Sequence, residues 1–174
     1  MSINNNPTWE QRVIAWADER RILDGSTCWN QFGKLIEEAG ELGVALAEDD
    51  RDEIKDGTGD CSVVLAIIAC QRGLDLQTCQ AYYEDKTDAV TRGEIVGGTA
   101  YEKLIVSLGQ LADGITKNKQ AAVMTAIGQA LFCLLAIANS NWLLVYDCRE
   151  AAWEEIKDRR GVCLNGIFIK ETAE

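Results

Sequence analysis

Lys34-Leu35-Ile36-Glu37-Glu38-Ala39-Gly40-Glu41-Leu42 returns 69 residues later as Lys103-Leu104-Ile105-Val106-Ser107-Leu108-Gly109-Gln110-Leu111. The offset holds without a gap across residues 34–79 and 103–148. It pairs Gly59 with Gly128, Leu65 with Leu134, Ile68 with Ile137, Leu74 with Leu143 and Cys79 with Cys148. The acids do not follow it. Glu37, Glu38, Glu41, Glu53, Asp56 and Asp60 face Val106, Ser107, Gln110, Ala122, Thr125 and Gln129. Positions kept in both copies are those a shared scaffold needs, and the carboxylates present in one copy are candidates for chemistry.

Apolar residues recur at spacings of three and four, little strict alternation is visible, and Pro7 is the sole proline. That pattern predicts an all-α chain, with helices over about 8–23, 29–48, 51–72, 75–91, 99–116, 119–140 and 144–160. Asp24-Gly25-Ser26-Thr27 offers a glycine stop followed by N-cap residues. Glu48-Asp49-Asp50 reads as a tight polar turn, repeated by Lys117-Asn118-Lys119. Gly97-Gly98 lies in the weakest helical stretch, so the repeats divide into residues 1–96, with the acids, and 97–174, degenerate. Short loops and amphipathic helices suit a four-helix bundle, here packed against a three-helix repeat acting as a built-in pseudo-dimer partner; a homodimer is the other arrangement. Asn165-Gly166 before Ile167-Phe168-Ile169 reads as a turn and a short extended tail.

The chain has 174 residues and a formal net charge of −11, of which −9 falls in residues 1–93. Such a balance disfavours nucleic acid and anionic membrane as partners. The longest apolar runs, near Cys61–Cys70 and Ala130–Ala138, are about half the ~20 residues of a membrane span, and Met1–Pro7 carries no apolar signal region. Seven cysteines, no CxxC and no histidine point to free thiols in a reducing cytoplasm rather than to zinc.

Glu37, Glu38 and Glu41 share one helical face, as do Glu53, Asp56 and Asp60 on the next helix. A short connection makes the two helices antiparallel, so both acidic faces can meet. Converging carboxylates repel unless cations neutralise them. Oxygen-only ligands favour Mg²⁺ or Mn²⁺, and such ions serve phosphate-anhydride hydrolysis. Asp60 stands at the edge of an apolar run, and small Ala39, Gly40 and Gly43 among the acids suggest close helix contact. Both features argue against a merely solvated acidic face.

EExxE on one helix, followed by an acid cluster ending in Gly59-Asp60 before an apolar helix, resembles the MazG-like all-α nucleotide pyrophosphohydrolases, relatives of phosphoribosyl-ATP pyrophosphohydrolases and dimeric dUTPases. The tail Trp153-Glu154-Glu155-Ile156-Lys157-Asp158-Arg159-Arg160-Gly161 with Asn165–Lys170 resembles the end of small phage and bacterial members. The likeness covers about residues 8–92 and 144–171. It implies Mg²⁺-dependent cleavage of a nucleoside or deoxynucleoside triphosphate to monophosphate and pyrophosphate, in the cytoplasm (the host's, for a phage protein). It also implies Glu38, Glu41 and Asp60 as metal ligands, joined by Asp56 and Glu53, and Glu37 as a further ligand or water-orienting base. The family's ExxD places a Glu where this chain has Gly57; some similar members carry D-G-x-x-D.

Lys34, Lys86, Lys157 and Arg160 are candidate phosphate contacts, with Arg159 beside them, and Asn30 and Gln31, next to Trp29, are candidate base contacts. Lys34, whose copy Lys103 survives where the acids do not, and the basic group at a helix C-terminus both have structural readings too. Two other functions stay open: a nucleotide- and metal-binding regulatory protein without turnover, motivated by Gly57, and a structural helical partner.

Overall fold

The computed structural model describes residues 6–88 and 99–171. Its helices are α1 (Trp9–Glu19), α2 (Ile22–Gly25), α3 (Cys28–Glu48), α4 (Arg51–Gln71), α5 (Leu76–Lys86), α6 (Ala100–Thr116), α7 (Gln120–Ser140) and α8 (Val145–Ile156). Strands β1 (Gly161–Leu164) and β2 (Ile167–Lys170) form a small antiparallel hairpin, with Val162 opposite Ile169. The all-α class holds, with that hairpin as its one addition among the described residues.

Four of the eight described helices start where a side chain accepts the free backbone N–H groups. Thr8 caps α1 and Thr27 caps α3, each in a reciprocal capping box with Gln11 and Asn30 respectively. Asp50 caps α4 and Asp75 caps α5. The helix expected over 8–23 is broken. Arg21 adopts a left-handed conformation (φ 58°), which frees the Arg20 carbonyl to accept the Cys163 N–H at 2.8 Å. The helix expected over 75–91 ends at Lys86; its last positions, 89–91, lie outside the described residues. The helix expected over 144–160 ends at Ile156, and Gly161 starts the hairpin.

The sequence repeat becomes a pseudo-two-fold fold. α3 and α4 form one antiparallel hairpin, and α6 and α7 form its counterpart. Their turns repeat a left-handed residue at the same offset, Asp49 (φ 55°) and Asn118 (φ 51°). Gly73 (φ 67°) and Trp142 (φ 58°) do the same after α4 and α7.

The third helices are exchanged. α5, which follows the first hairpin, packs mainly on α7; α8, which follows the second, packs mainly on α4. Two glycines show the exchange to be reciprocal. A Cβ at Gly59 would strike the Cys148 carbonyl and Ala152, and a Cβ at Gly128 would strike the Cys79 carbonyl and Tyr83. Each pair is the other shifted by 69. The helix ends follow suit: Arg51 donates to the Asn141 and Trp142 carbonyls at 3.2 and 2.8 Å, while Gln120, its counterpart, donates to Arg72 O at 2.7 Å. The boundary expected after residue 96 lies outside the described residues; in space each hairpin is completed by the other copy's third helix.

One continuous core results, with Leu35, Leu42, Leu65 and Ile68 of the first hairpin and Leu104, Leu111, Ile127 and Leu134 of the second fully buried. α7 has the length and apolarity of a membrane span, with mean hydropathy 2.1, more than the run lengths alone suggested; 61% of that stretch is buried inside the fold. α1 has no counterpart among the described residues. It lies on α4 and α8, held by the Arg12–Glu150 ion pair at 2.5 Å.

Candidate functional site

α3 and α4 approach closely at Gly57. A Cβ there would lie 3.0 Å from Leu42 Cβ and 3.2 Å from Leu42 Cα, so position 57 is filled by the neighbouring helix. This contact sets Glu38 on α3 and Asp60 on α4 into one cleft of about 200 Å³. The cleft has a charged end, where Lys34, Glu38, Asp60 and Arg159 meet, and an apolar end of Trp16, Ile22, Val64, Ile67, Ile156 and Phe168. Asn30, Gln31 and Gly166 lie at its wall.

Glu38 is only 5% exposed, which removes it from the solvated-face reading. Burial pushes its carboxyl upward; Lys34, with Nζ 2.7 Å from Glu38 Oε1, pulls it back, and Glu41, which shares a hydrogen bond with it, pushes it up again. Burial also works against the Lys34 ammonium, but its pairs with Glu38 and, at 3.3 Å, Glu37 outweigh that and raise it. Asp60 is pushed up to about 7, first by burial, then by the charges of Glu38 and Asp56, against weaker help from Arg159 and Lys34. Its carboxyl has no hydrogen-bond partner among the described residues.

The other expected site residues are spread more widely. Glu37 and Glu41 are exposed on α3, outside the cleft wall, though Glu41 reaches Glu38. Asp56 is half-buried and acts on Asp60 through its charge; Glu53 is exposed in the first turn of α4. Among the described residues no three acids or thiols stand close enough around one point to hold a metal ion. Lys86 ends α5, which packs on the other repeat, and pairs with its neighbour Asp85 at 3.0 Å, so it does not reach the cleft. Lys157 is turned toward Glu154 at 2.5 Å, and Arg160 is exposed. From this basic group it is Arg159, paired with Glu155, that joins Lys34 in the cleft, where the chain leaves α8 to start the hairpin. Trp29 is exposed and edge-on to Phe32, 5.4 Å between centroids.

Two aromatic residues of the cleft gave no signal in the sequence. Trp16 and Phe168 stand 152 positions apart, and their rings lie 6.1 Å apart. Arg20 joins them: its guanidinium stacks over Trp16 at 5.1 Å and donates to the Arg159 carbonyl at 2.6 Å. Gly166 N donates to Gly25 O at 2.9 Å, and a side chain at Gly166 would collide with Asn30, so the hairpin tip rests on the start of α3. In the second repeat, Ser107 is buried and returns its hydroxyl to Leu104 O at 2.7 Å. Phe132, the counterpart of Val63, packs against Tyr83 with centroids 6.2 Å apart.

All seven cysteines are free thiols, and Cys61, Cys79, Cys133, Cys148 and Cys163 are buried. Burial raises each of these five thiols, which makes them poor nucleophiles and poor metal ligands.

Among known proteins, this chain is 43% identical over 65 residues to a protein of Haemophilus phage HP1 (strain HP1c1) described as an uncharacterized 18.2 kDa protein in the rep-hol intergenic region. The aligned stretch is 37% of this chain and 40% of that protein, less than half of either. No family model matches the chain, and no solved structure matches it.

Proposed function

We propose that the protein is a nucleotide pyrophosphohydrolase of the MazG-like type, dependent on Mg²⁺ or Mn²⁺ and acting in the cytoplasm, that of the host cell if it is a phage protein. The observation that carries this reading is the pair Glu38, buried, and Asp60, half-buried, on adjacent helices and facing one cleft. The donor set fits a hard cation, since every candidate ligand is a carboxylate. Glu38 and Asp60 would hold the ion, with Asp56 and Glu41 next to them, and Glu38 would release Lys34 in doing so. Such an ion supplies activated water and neutralises phosphate oxygens. Lys34, once released, and Arg159 are placed to take up phosphate charge. Trp16, Ile67 and Phe168 make the remainder of the cleft apolar, which strengthens the charge interactions beside it.

Release of pyrophosphate from a panel of nucleoside and deoxynucleoside triphosphates with Mg²⁺ or Mn²⁺ tests the reading. Glu38→Gln and Asp60→Asn are expected to abolish it. A wild-type protein that releases pyrophosphate from none of them rules the enzyme out.

Gly57 favours a second reading, binding without turnover. A side chain at that position would crowd Leu42 on the facing helix, and the first acid of the ExxD pattern is absent here. Calorimetry with a non-hydrolysable triphosphate analogue separates the two: heat of binding with no pyrophosphate release in the matching assay supports the second.

A further inference from the structure

The cleft wall carries a polar side chain, Gln31, whose orientation the surrounding hydrogen bonds dictate. The Ser26 hydroxyl donates its single proton to the Ile22 carbonyl at 2.6 Å. Its oxygen can then only accept. It does so from Gln31 Nε2 at 2.9 Å and from Gln71 Nε2 at 3.2 Å. Gln71 is itself fixed, since Nε2 also donates to the Ser26 carbonyl at 3.0 Å. The Gln31 amide therefore cannot flip. Its nitrogen faces Ser26 and its oxygen faces the other way.

Gln31 is 9% exposed and lines the cleft. Its Oε1 has no partner among the described residues, yet it is not one of the sealed-off unpaired atoms. The cleft is thus offered a fixed acceptor, in the same lining as the tilted Trp16 and Phe168 rings. Its volume of about 200 Å³ is below the ~300–1,000 Å³ of pockets that hold drug-sized ligands. One flat heterocycle fits that description better than a whole nucleotide does.

We propose that the apolar end of the cleft is a nucleobase subsite in which Gln31 Oε1 accepts an N–H from the edge of the base. Ser26 and Gln71 are positioning residues that set the acceptor, and Phe168, carried by the C-terminal hairpin, supplies a wall against the ring. The assignment deepens the reading of the charged end as a phosphate site and rests on it for the direction in which the ligand enters. A polar site that expects a donor discriminates strongly against a ligand lacking it, because the buried acceptor is left unpaired.

The test uses the full chain in EDTA, titrated by calorimetry or NMR with uridine, cytidine, adenosine and guanosine. Each is compared with its analogue methylated at the base-edge nitrogen: 3-methyluridine, N4,N4-dimethylcytidine, N6,N6-dimethyladenosine and 1-methylguanosine. For the nucleoside that binds best, methylation is expected to weaken binding about tenfold. Gln31→Leu should weaken the parent nucleoside by a similar factor and bring the ratio close to one. Ser26→Ala should lower the ratio while changing affinity for the methylated analogue little, a pattern that general loss of structure does not give. Phe168→Ala, at the outer wall, should weaken both ligands equally, and melting curves identify which variants are folded. Absence of nucleoside binding, a wild-type ratio of one, or an unchanged ratio in folded Gln31→Leu overturns the assignment. Because nucleosides have no phosphate, binding without any pyrophosphate release would sink the enzyme reading and leave the subsite standing. Turnover with base preference unchanged in Gln31→Leu would do the reverse.

Discussion

Replacing Asp60 by Asn should stabilise the metal-free protein, and more so as pH rises. The carboxyl titrates near 7 in the fold against 3.8 when unperturbed, and it makes no hydrogen bond that the amide would lose. A folded value above the unfolded one means that the stabilising state is the protonated acid. Its contribution is complete below the unfolded value and is lost as pH rises through the folded value, here between about 4 and 7. Against a side chain that does not titrate, the raised value costs about 2 kcal/mol at pH 5, where the folded acid is kept protonated while the unfolded one ionises, and about 4 kcal/mol at pH 8, from the two titration points. The wild-type protein in EDTA should therefore lose about 2 kcal/mol from this carboxyl between those pH values, and the Asn variant should lack that loss. At pH 8 the variant's advantage corresponds to roughly 10 °C in melting temperature for a chain of this size. Urea denaturation at pH 5 and pH 8 measures the difference. Equal pH slopes for the two proteins, or an Asn variant less stable at pH 8, would refute the argument that burial and the charges of Glu38 and Asp56 strain Asp60. Mg²⁺ should flatten the wild-type slope and leave the variant unchanged if the acids hold the ion.

Gly59→Ala and Gly128→Ala should each cost about 1–3 kcal/mol in urea denaturation, by overpacking against α8 and α5 respectively; a neutral Gly128→Ala would contradict the reciprocal exchange of helices. Trp142→Gly should raise stability by about 1 kcal/mol, since its left-handed backbone disfavours a side chain and the ring is 88% exposed; a lower melting temperature would show that the indole contributes packing. Lys34→Met should destabilise by about 1 kcal/mol at neutral pH, the half-exposed ion pair being screened by solvent. Lys103→Met, with no ion pair among the described residues, should be close to neutral, and equal effects at both positions would remove the special role of Glu38.

The elements were legible where spacing alone decides them. Helices α3, α4, α6 and α7 fall within a residue or two of their expected limits: α3 and α6 are amphipathic, α4 and α7 are largely buried, and polar turns bound them. The break at Arg21 and the first strand of the hairpin were not legible. The left-handed Arg21 goes with a hydrogen bond from Cys163, and β1 exists because β2 pairs with it. Glu38 and Asp60 were found because the second repeat lacks them, and Lys34 because it stands one turn before the acids. Arg159 was seen only as one member of a basic group, and Trp16 and Phe168 were not seen, because they come from opposite ends of the chain. Lys86, Lys157 and Arg160 look equivalent to Arg159 in sequence, yet only the turn out of α8 aims one of the four inward.

The sequence by itself determined the helical class, the repeat at offset 69 and which copy carries the acids, since periodicity and the identity of aligned residues are properties of the linear chain. Only the tertiary structure decided that the copies exchange their third helices. The exchange rests on backbone contacts at Gly59 and Gly128 that join segments far apart in sequence, and no local pattern encodes which of two similar helices will fill a given groove. The same holds for the cleft: the charge of Glu38 and Asp60 is written in the chain, but their burial, and with it the strain on Asp60, comes from the helices and hairpin packed around them.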